Sequence, residues 1–202
     1  MSMGAKGKTL LLCCGATARE VLAIVDANGM DHMRVESLPA NLHNTPQFIP
    51  DRVRDKIRAN RDLYERILVL YSDCGTGGQL QKVLDEEGVE GLGGAHCYEM
   101  YAGSAAFADI TDEEIGCFFL TDYLTQHFER LVIQGLGLDR HPELRDSYFG
   151  NYKKVLYLAQ RDDPDLRARA AAAAERLGLE LEIRQTGFGN YRDFLLRHGR
   201  NA

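Results

Sequence analysis

The sequence predicts an α/β protein with a single doubly wound, mainly parallel sheet that carries helices on both faces, a Rossmann-like arrangement. Short apolar runs alternate with longer amphipathic segments along most of the 202 residues, which is the pattern of βαβ units. No Asn-Gly turn stands between two alternating runs, so hairpins are not expected. The length fits one domain, which we assign to residues 1–202.

The apolar runs give the predicted strands. A continuous run such as Ile67–Tyr71 is typical of a strand buried on both faces. The run Cys117–Leu120 fits either a short strand or the start of the following helix. The predicted strands are Thr9–Cys13, Arg34–Leu38, Ile67–Tyr71, Val89–Ala95, Cys117–Leu120, Val155–Leu158 and Leu179–Ile183.

Helices are predicted between these strands. The clearest is the alanine-rich Pro164–Leu177, which has proline at its start and Gly178 at its end. A closing helix is expected over Tyr191–Arg197, and the stretch between Ala102 and Gly116 is expected to be helical in part.

Composition excludes several functional classes. A net charge of −6 without a basic patch argues against a nucleic-acid partner. No apolar run approaches the roughly 20 residues that cross a bilayer, and the first residues lack the features of a signal peptide. The five cysteines are an odd number with two adjacent, which favours thiols, ligands or nucleophiles over disulfides. We therefore expect a cytoplasmic protein.

Three cysteines follow apolar runs directly. Cys14 follows the first run, Cys74 follows the run that ends at Tyr71, and Cys97 follows the glycine-rich fourth run. In parallel sheets, ligands bind beyond the carboxyl ends of the strands, near the point where the strand order reverses. If the three strands are neighbours, the three thiols share one edge of the sheet. Cys13 and Cys117 are expected in the core.

The three thiols could hold a metal. Cys14, Cys74 and Cys97 could bind Zn²⁺ with one position open, or an iron–sulfur cluster with one iron left without a protein ligand. These two possibilities are not distinguishable from the sequence. His43, His96 and Glu99 are candidates for a fourth ligand or a proton donor.

Two other interpretations stay open. Cys97 could be a nucleophile beside His96 and Glu99, with His43 as the better-placed base. Alternatively, the thiols are core residues and the site is an ordinary metal-free pocket.

A second feature is the glycine-rich turn after Cys74. Backbone amides of Gly75, Thr76 and Gly77 precede a predicted helix and could bind an anionic group of a substrate or cofactor. The turn lacks the lysine of a P-loop and the spacing of the dinucleotide fingerprint. The glycines could instead serve only to form a tight turn.

Several motifs along the chain are distinctive. They are Leu38-Pro39-Ala40, Leu42-His43-Asn44, Asp73-Cys74-Gly75-Thr76-Gly77-Gly78, His96-Cys97-Tyr98-Glu99-Met100, Phe119-Leu120-Thr121-Asp122, Gly137-Leu138-Asp139-Arg140-His141-Pro142 and Tyr157-Leu158-Ala159-Gln160. By these motifs the chain resembles the domain-of-unknown-function family numbered 1638 of bacteria and archaea, from about Leu10 to Gly189, with no departure at Cys14, His43, Cys74, His96 or Cys97. The resemblance implies an association of some members with corrinoid-dependent methyltransferase systems, and it assigns no activity.

These observations lead to one leading hypothesis. We expect a cytoplasmic enzyme (a lyase, hydrolase or transferase) with a cysteine-bound zinc or iron–sulfur centre, acting on a small, anionic substrate. The resemblance adds methyl-group or one-carbon metabolism as its setting. The alternative is a non-catalytic accessory protein that binds a corrinoid or a methyltransferase partner.

Overall fold

The structure is a computed structural model and describes residues 9–104, 107 and 116–199. The expected partial helix between Ala102 and Gly116 therefore lies mostly outside the described residues. The chain divides into two compact units, Met1–Met100 with Phe188–Ala202, and Tyr101–Gly187. One domain over residues 1–202 stays a prediction.

The first unit is built on a four-stranded parallel sheet. Its strand order is β2-β1-β3-β4, so the chain leaves β1 toward one side and later returns to its other side. The strands are β1 (Thr9–Cys14), β2 (Met33–Leu38), β3 (Arg66–Leu70) and β4 (Glu90–Gly91). The helices are α1 (Ala18–Ala27), α2 (Ile49–Asn60), α3 (Gln79–Glu87), α4 (Cys97–Ala102, which ends in the second unit) and α8 (Gly189–Gly199), with 3₁₀ turns at Ala40–Asn44 and Pro46–Phe48.

The core of this unit follows from the alternation of side chains along β1 and β3. Leu10 and Leu12 pack with Val69 against apolar residues of α2 and α3. Leu11 and Cys13 point to the opposite face because successive side chains of a strand alternate. Leu10 through Cys13 are at most 1% exposed, which explains why β1 is a continuous apolar run rather than an alternating one.

Gly15 allows the chain to pass close to β2 directly after β1. Its amide donates a 2.8 Å hydrogen bond to the carbonyl oxygen of Leu38. A Cβ atom at this position would lie 3.0 Å from that oxygen and 3.2 Å from the amide nitrogen of Ala40. Only glycine fits this approach without a shift of backbone.

The second unit contains a three-stranded parallel sheet of order β5-β6-β7. In its core, the central strand Lys154–Ala159 packs against one apolar stripe of the helix Pro164–Leu177. The strands are β5 (Cys117–Leu120), β6 (Lys154–Ala159) and β7 (Glu180–Gln185). The helices are α5 (Asp122–Gln126), α6 (Arg145–Phe149) and α7 (Pro164–Leu177), with a π-helical segment at Glu129–Gln134 and a 3₁₀ turn at Pro142–Leu144.

The α/β class, the parallel pairing and the helices on both faces are confirmed. The prediction of a single sheet is wrong, because the described strands form two sheets. Alternation of strands and helices predicts parallel pairing, but it does not determine which strands are neighbours. Cys13 and Cys117 are buried as expected, at 0% and 8% exposure. No helix within the described residues has the length and hydropathy of a membrane span.

A buried carboxylate organises the carboxyl edge of the second sheet. Asp122 is 1% exposed and accepts hydrogen bonds from the Tyr157 hydroxyl at 2.7 Å and the Gln160 amide at 3.0 Å. The Arg161 guanidinium donates to its other oxygen at 3.0 Å. Every oxygen of this carboxylate is thus satisfied by a group that the adjacent strand β6 positions.

We expect Asp122→Ala to lower the free energy of unfolding by about 3 kcal/mol. The substitution leaves the buried Tyr157 hydroxyl and the Gln160 amide without an acceptor, and each such group costs about 1–3 kcal/mol. Chemical denaturation followed by circular dichroism measures the loss. Asp162→Ala is the matched control, because that carboxylate is 80% exposed and should change stability by no more than about 0.5 kcal/mol. Equal losses in the two variants would contradict the role assigned to Asp122.

Candidate functional site

The candidate site lies where the strand order of the first sheet reverses. Strands β1 and β3 are neighbours. From β1 the chain continues to β2 on one side of this pair, and from β3 it continues to β4 on the other side. Cys14 is the last residue of β1, and Cys74 follows β3 by four residues. Such a point is the usual ligand site of open parallel sheets. The predicted edge position of these two cysteines is therefore confirmed by the strand pairing.

The segment after β4 brings Cys97 to the same place. The amides of Asp73 and Cys74 donate to the carbonyl oxygens of Gly94 and Ala95, both at 2.8 Å. These bonds extend the β3–β4 pairing beyond the ends of the two strands. Cys97 begins α4 two residues after Ala95. The backbone at Cys74 has a φ of 47°, in the left-handed region.

The Cys74 sulfur is the centre of the cluster. The Cys97 thiol and the imidazoles of His43 and His96 lie close enough to it to lower its pKa. His43 reaches it from the 3₁₀ turn that follows β2. Cys74 and Cys97 are partly buried, whereas both histidines are solvent-exposed. Four of the predicted site residues, drawn from three separate segments, therefore lie near one another.

These neighbouring groups set the charges of the cluster. Hydrogen bonds from Cys97, His43 and His96 lower the pKa of Cys74 to about 3, against the opposing effect of burial. The Cys74 thiolate in turn raises the pKa of His96 above its usual range. The pKa of Cys97 is also raised, because its thiol donates to Cys74 and because it is buried. The arrangement thus favours a thiolate at Cys74, a protonated thiol at Cys97 and an imidazolium at His96.

Cys14 lies near this cluster but bonds differently. Its sulfur accepts a 3.5 Å hydrogen bond from the Ala16 amide. Burial raises its pKa, and the charge of Cys74 adds to that effect. Of the three predicted ligands, Cys74 and Cys97 lie beside each other, and Cys14 is near enough for the charge of Cys74 to raise its pKa.

Two buried tyrosines that the sequence did not indicate lie near the three thiols. Tyr71 and Tyr191 are 3% and 1% exposed, respectively. The pKa of each is raised by burial and then by the neighbouring cysteines. The position of Tyr71, directly after an apolar strand, is a signal that could have found it. Tyr191 comes from α8, about 90 residues beyond Cys97 in the chain, and no local pattern marks it.

The Tyr71 hydroxyl is a buried polar group without a conventional partner. It lies beside the Cys14 thiol and affects its pKa. In the part of the chain that the structure describes, however, it forms no hydrogen bond of normal length and angle. Buried hydroxyls usually have a partner, so this one is available to a molecule bound among the thiols.

The turn after Cys74 already has an anion of its own. The Asp73 carboxylate accepts from the Thr76 hydroxyl, from the Gly77 amide at 3.1 Å and from the Gly78 amide at 2.8 Å. Burial opposes ionisation, but these bonds and one from the Gly75 amide lower the pKa of Asp73. The Asp73 carboxylate thus takes the Gly77 and Gly78 amides, and the Thr76 amide donates to the Asp73 carbonyl oxygen. The hypothesis that Gly75, Thr76 and Gly77 bind an anionic group stays a prediction.

Glu99 has a structural role beside the cluster. Its carboxylate accepts a 2.7 Å hydrogen bond from the Ala95 amide, and its charge contributes to the raised pKa of His96. It therefore fixes the turn that leads into α4 and favours the imidazolium. Its predicted role as a fourth ligand or proton donor stays a prediction.

The donor types suit a thiophilic metal, since the cluster combines three cysteines and two histidines. The spacing of these donor side chains gives a different result. Within residues 9–104, 107 and 116–199, no three His, Cys, Asp or Glu side chains are placed as a bound metal ion requires. The Cys97 thiol and the two imidazoles instead lie around the Cys74 sulfur, near enough to lower its pKa.

Comparisons with known proteins add a family and little else. A family model described as "Protein of unknown function (DUF1638)" matches residues 37–195. No curated protein matches the chain. Among solved structures, ornithine carbamoyltransferase from Pyrococcus furiosus is similar with 13% identity and a TM-score of 0.30, over 88% of this chain and 54% of that one. The chain thus spans about half the length of that protein, and a similarity this low carries no inference.

We expect Tyr71→Phe to leave the free energy of unfolding within about 0.5 kcal/mol of the wild type, because the lost hydroxyl has no partner. Tyr157→Phe is the matched control. Its hydroxyl donates to Asp122 at 2.7 Å, so its loss should cost about 1–2 kcal/mol. Parallel denaturation curves measure both values. A loss at Tyr71 as large as that at Tyr157 would show that its hydroxyl is already bonded within the fold.

Proposed function

Since the chain belongs to the family described as "Protein of unknown function (DUF1638)", whose description gives no activity, we propose from the site itself that the protein is an enzyme whose reactive group is the Cys74 sulfur. The observation that carries this proposal is the convergence of a thiol and two imidazoles on that one sulfur. These three groups come from two segments, His43 from one and the adjacent His96 and Cys97 from the other, and they favour a thiolate, which is the nucleophilic form of cysteine.

The surroundings of Cys74 support a reactive rather than a structural thiol. A structural cysteine sits in apolar surroundings that raise its pKa, as burial does for Cys13, with a pKa of about 12. Cys74 has the opposite shift. It also stands beside two solvent-exposed imidazoles. A small molecule could therefore reach the sulfur from the side of His43 and His96.

Each residue of the cluster then has a role. The Cys74 thiolate would attack an electrophilic atom of a small-molecule substrate, and the His96 imidazolium would give a proton to the leaving group. Cys97 would hold the thiolate through its hydrogen bond, and His43 would do so from the opposite segment. This assignment moves the nucleophile from Cys97, the sequence-based candidate, to Cys74. The same chemistry serves a transferase, a lyase or a hydrolase.

A metal centre is the second candidate, and the number and type of donors favour it. Cys14, Cys74 and Cys97 would be the ligands of zinc or of an iron–sulfur cluster, with His43 or His96 available to complete the shell. Bound there, zinc or an open iron would act as a Lewis acid toward the substrate. Because no three described donors have the spacing of a metal shell, binding would require the side chains to turn toward a common point.

The cellular setting follows from the thiols. Neighbouring free thiols persist in a reducing compartment, so we propose a cytoplasmic location. The link to a corrinoid, a methyltransferase partner or one-carbon metabolism stays a prediction from the family resemblance, as does the non-catalytic alternative. No described contact favours either of them over an enzyme.

We expect iodoacetamide to alkylate Cys74 at a rate that changes less than about twofold between pH 5 and pH 8. The lowered pKa keeps this thiol ionised across that range, whereas an ordinary thiol with a pKa of about 8.5 loses about tenfold in rate per pH unit below it. Mass spectrometry of the Cys74 peptide measures the rate on metal-free protein. Cys97→Ala removes the main donor and should shift the midpoint upward. A wild-type midpoint near pH 8.5 would refute the thiolate.

Metal analysis of protein purified without oxygen tests the second candidate. A bound metal should give close to one equivalent of zinc, or iron with sulfide and a visible absorption band, and Cys74→Ala combined with Cys97→Ala should abolish it. Cys117→Ala is the matched control, since this buried cysteine lies in the other unit. Less than about a tenth of an equivalent in the wild type, unchanged in the double variant, would leave the metal-free thiolate as the remaining candidate.

A further inference from the structure

The helix α8 is fastened to the amino ends of two strands of the first sheet by one histidine. His198, near the end of α8, lies between Arg66, the first residue of β3, and Glu90, the first residue of β4. We propose that His198 is a pH-sensitive latch, which holds α8 on the first sheet while its imidazole is neutral and releases the helix when the imidazole is protonated. This inference is independent of the chemistry proposed for Cys74.

The contact with Arg66 fixes the protonation state of the ring. The Nη2 atom of Arg66 lies 2.7 Å from the Nδ1 atom of His198. A guanidinium can only donate hydrogen bonds, so Nδ1 is the acceptor and carries no proton. The proton of the neutral ring is therefore on Nε2, which lies 3.1 Å from one oxygen of the Glu90 carboxylate. The same Arg66 nitrogen donates to the other Glu90 oxygen at 3.1 Å.

Protonation of the ring makes the contact with Arg66 repulsive. A second N–H, on Nδ1, would point at the guanidinium, so two donors and two positive charges would face each other across a hydrogen-bond distance. Water can replace the lost acceptor only poorly at this position, because the His198 side chain is 11% exposed. The imidazolium is therefore accommodated only once the ring moves away from Arg66.

The groups that face the ring have opposite effects, and their sum favours the neutral form. Burial lowers the pKa of His198, the Glu90 carboxylate opposes this effect, and the Arg66 and Arg197 guanidiniums lower the pKa further. These groups come from β3, β4 and α8 itself. Because the pKa in the fold lies below the unfolded value of about 6.5, the latch contributes its full stability above that pH and loses it as the pH falls below that value.

The latch acts on a helix whose apolar side chains belong to the core. Tyr191, Phe194 and Leu195 of α8 are each at most 2% exposed, and α8 packs against α1. The Phe194 and His198 rings are 4.5 Å apart, centroid to centroid, which connects the latch to these core contacts. Release of the histidine therefore weakens the packing of α8 and opens this part of the first unit to water.

Hydrogen exchange of the full-length protein, followed by mass spectrometry of the α8 peptides, tests the latch. After correction for the intrinsic pH dependence of exchange, we expect the opening equilibrium of α8 to be about three- to tenfold larger at pH 5.5 than at pH 7.5. About tenfold is the limit that an unfolded pKa of about 6.5 sets for one proton. Peptides of α7, in the other unit, are the internal reference and should change less than about twofold.

Three variants separate the latch from other effects of pH. His198→Asn keeps an uncharged acceptor for Arg66, so the pH response of α8 should fall below about twofold. Arg66→Gln replaces a group that can only donate by one that can accept from a protonated ring, and it should reduce the response in the same way. His141→Asn is the matched control, because this histidine lies in the other unit and is 58% exposed. It should keep the wild-type response.

Two results of the exchange experiment would overturn the latch. One is an equal opening of wild-type α8 at both pH values, and the other is a pH response that persists in His198→Asn. If that variant fails to fold, an NMR titration of the His198 ring in the wild type decides the question, since a midpoint at or above about 6.5 contradicts the latch. None of these outcomes affects the Cys74 thiolate, which the iodoacetamide experiment tests separately.

Discussion

The structure of the site depends on one constraint, which is the need to hold a negative charge on a partly buried sulfur. Removing an ion from water costs several kcal/mol unless other groups replace the lost hydration. At Cys74 those groups are the Cys97 thiol and the imidazoles of His43 and His96. None of them is close to Cys74 in sequence, so only the assembled sheet can bring them together. The order β2-β1-β3-β4 does this by placing the segments after β2, β3 and β4 at a common edge.

Adjacent residues in the turn after β3 divide the available donors between them. Asp73 takes the amides of the turn and the Thr76 hydroxyl, so its carboxylate shapes the backbone. Cys74, one position on, receives side-chain donors from other segments. The backbone amides of this turn therefore stabilise its conformation, and side chains from other segments stabilise the reactive Cys74 sulfur. This division assigns the Gly77 and Gly78 amides to the Asp73 carboxylate, and the binding of an external anion at this turn stays a prediction.

Sequence reasoning recovered the parts of the site that depend on local pattern. Apolar runs followed by Cys14, Cys74 and Cys97 located the edge of the sheet, and His43 and His96 were correctly placed near the thiols. It did not predict the features that depend on which strands pair and on contacts between residues distant in sequence. The separation of β5, β6 and β7 into their own sheet is set by which strands become neighbours, which alternation does not encode. Two other features likewise depend on the three-dimensional fold. They are the hydrogen bonds from the turn amides to the Asp73 carboxylate and the position of Tyr191, from α8, near the thiols.

The backbone conformation at Cys74 has a further consequence. Among the described residues, Cys74 is the one non-glycine residue with a positive φ, a conformation that costs a side-chain-bearing residue about 1–2 kcal/mol. Glycine would fit this position with less strain. The polypeptide thus has a strained backbone at Cys74, where the sulfur stands shortly after the end of β3. A protein optimised for folding alone would have a different residue there.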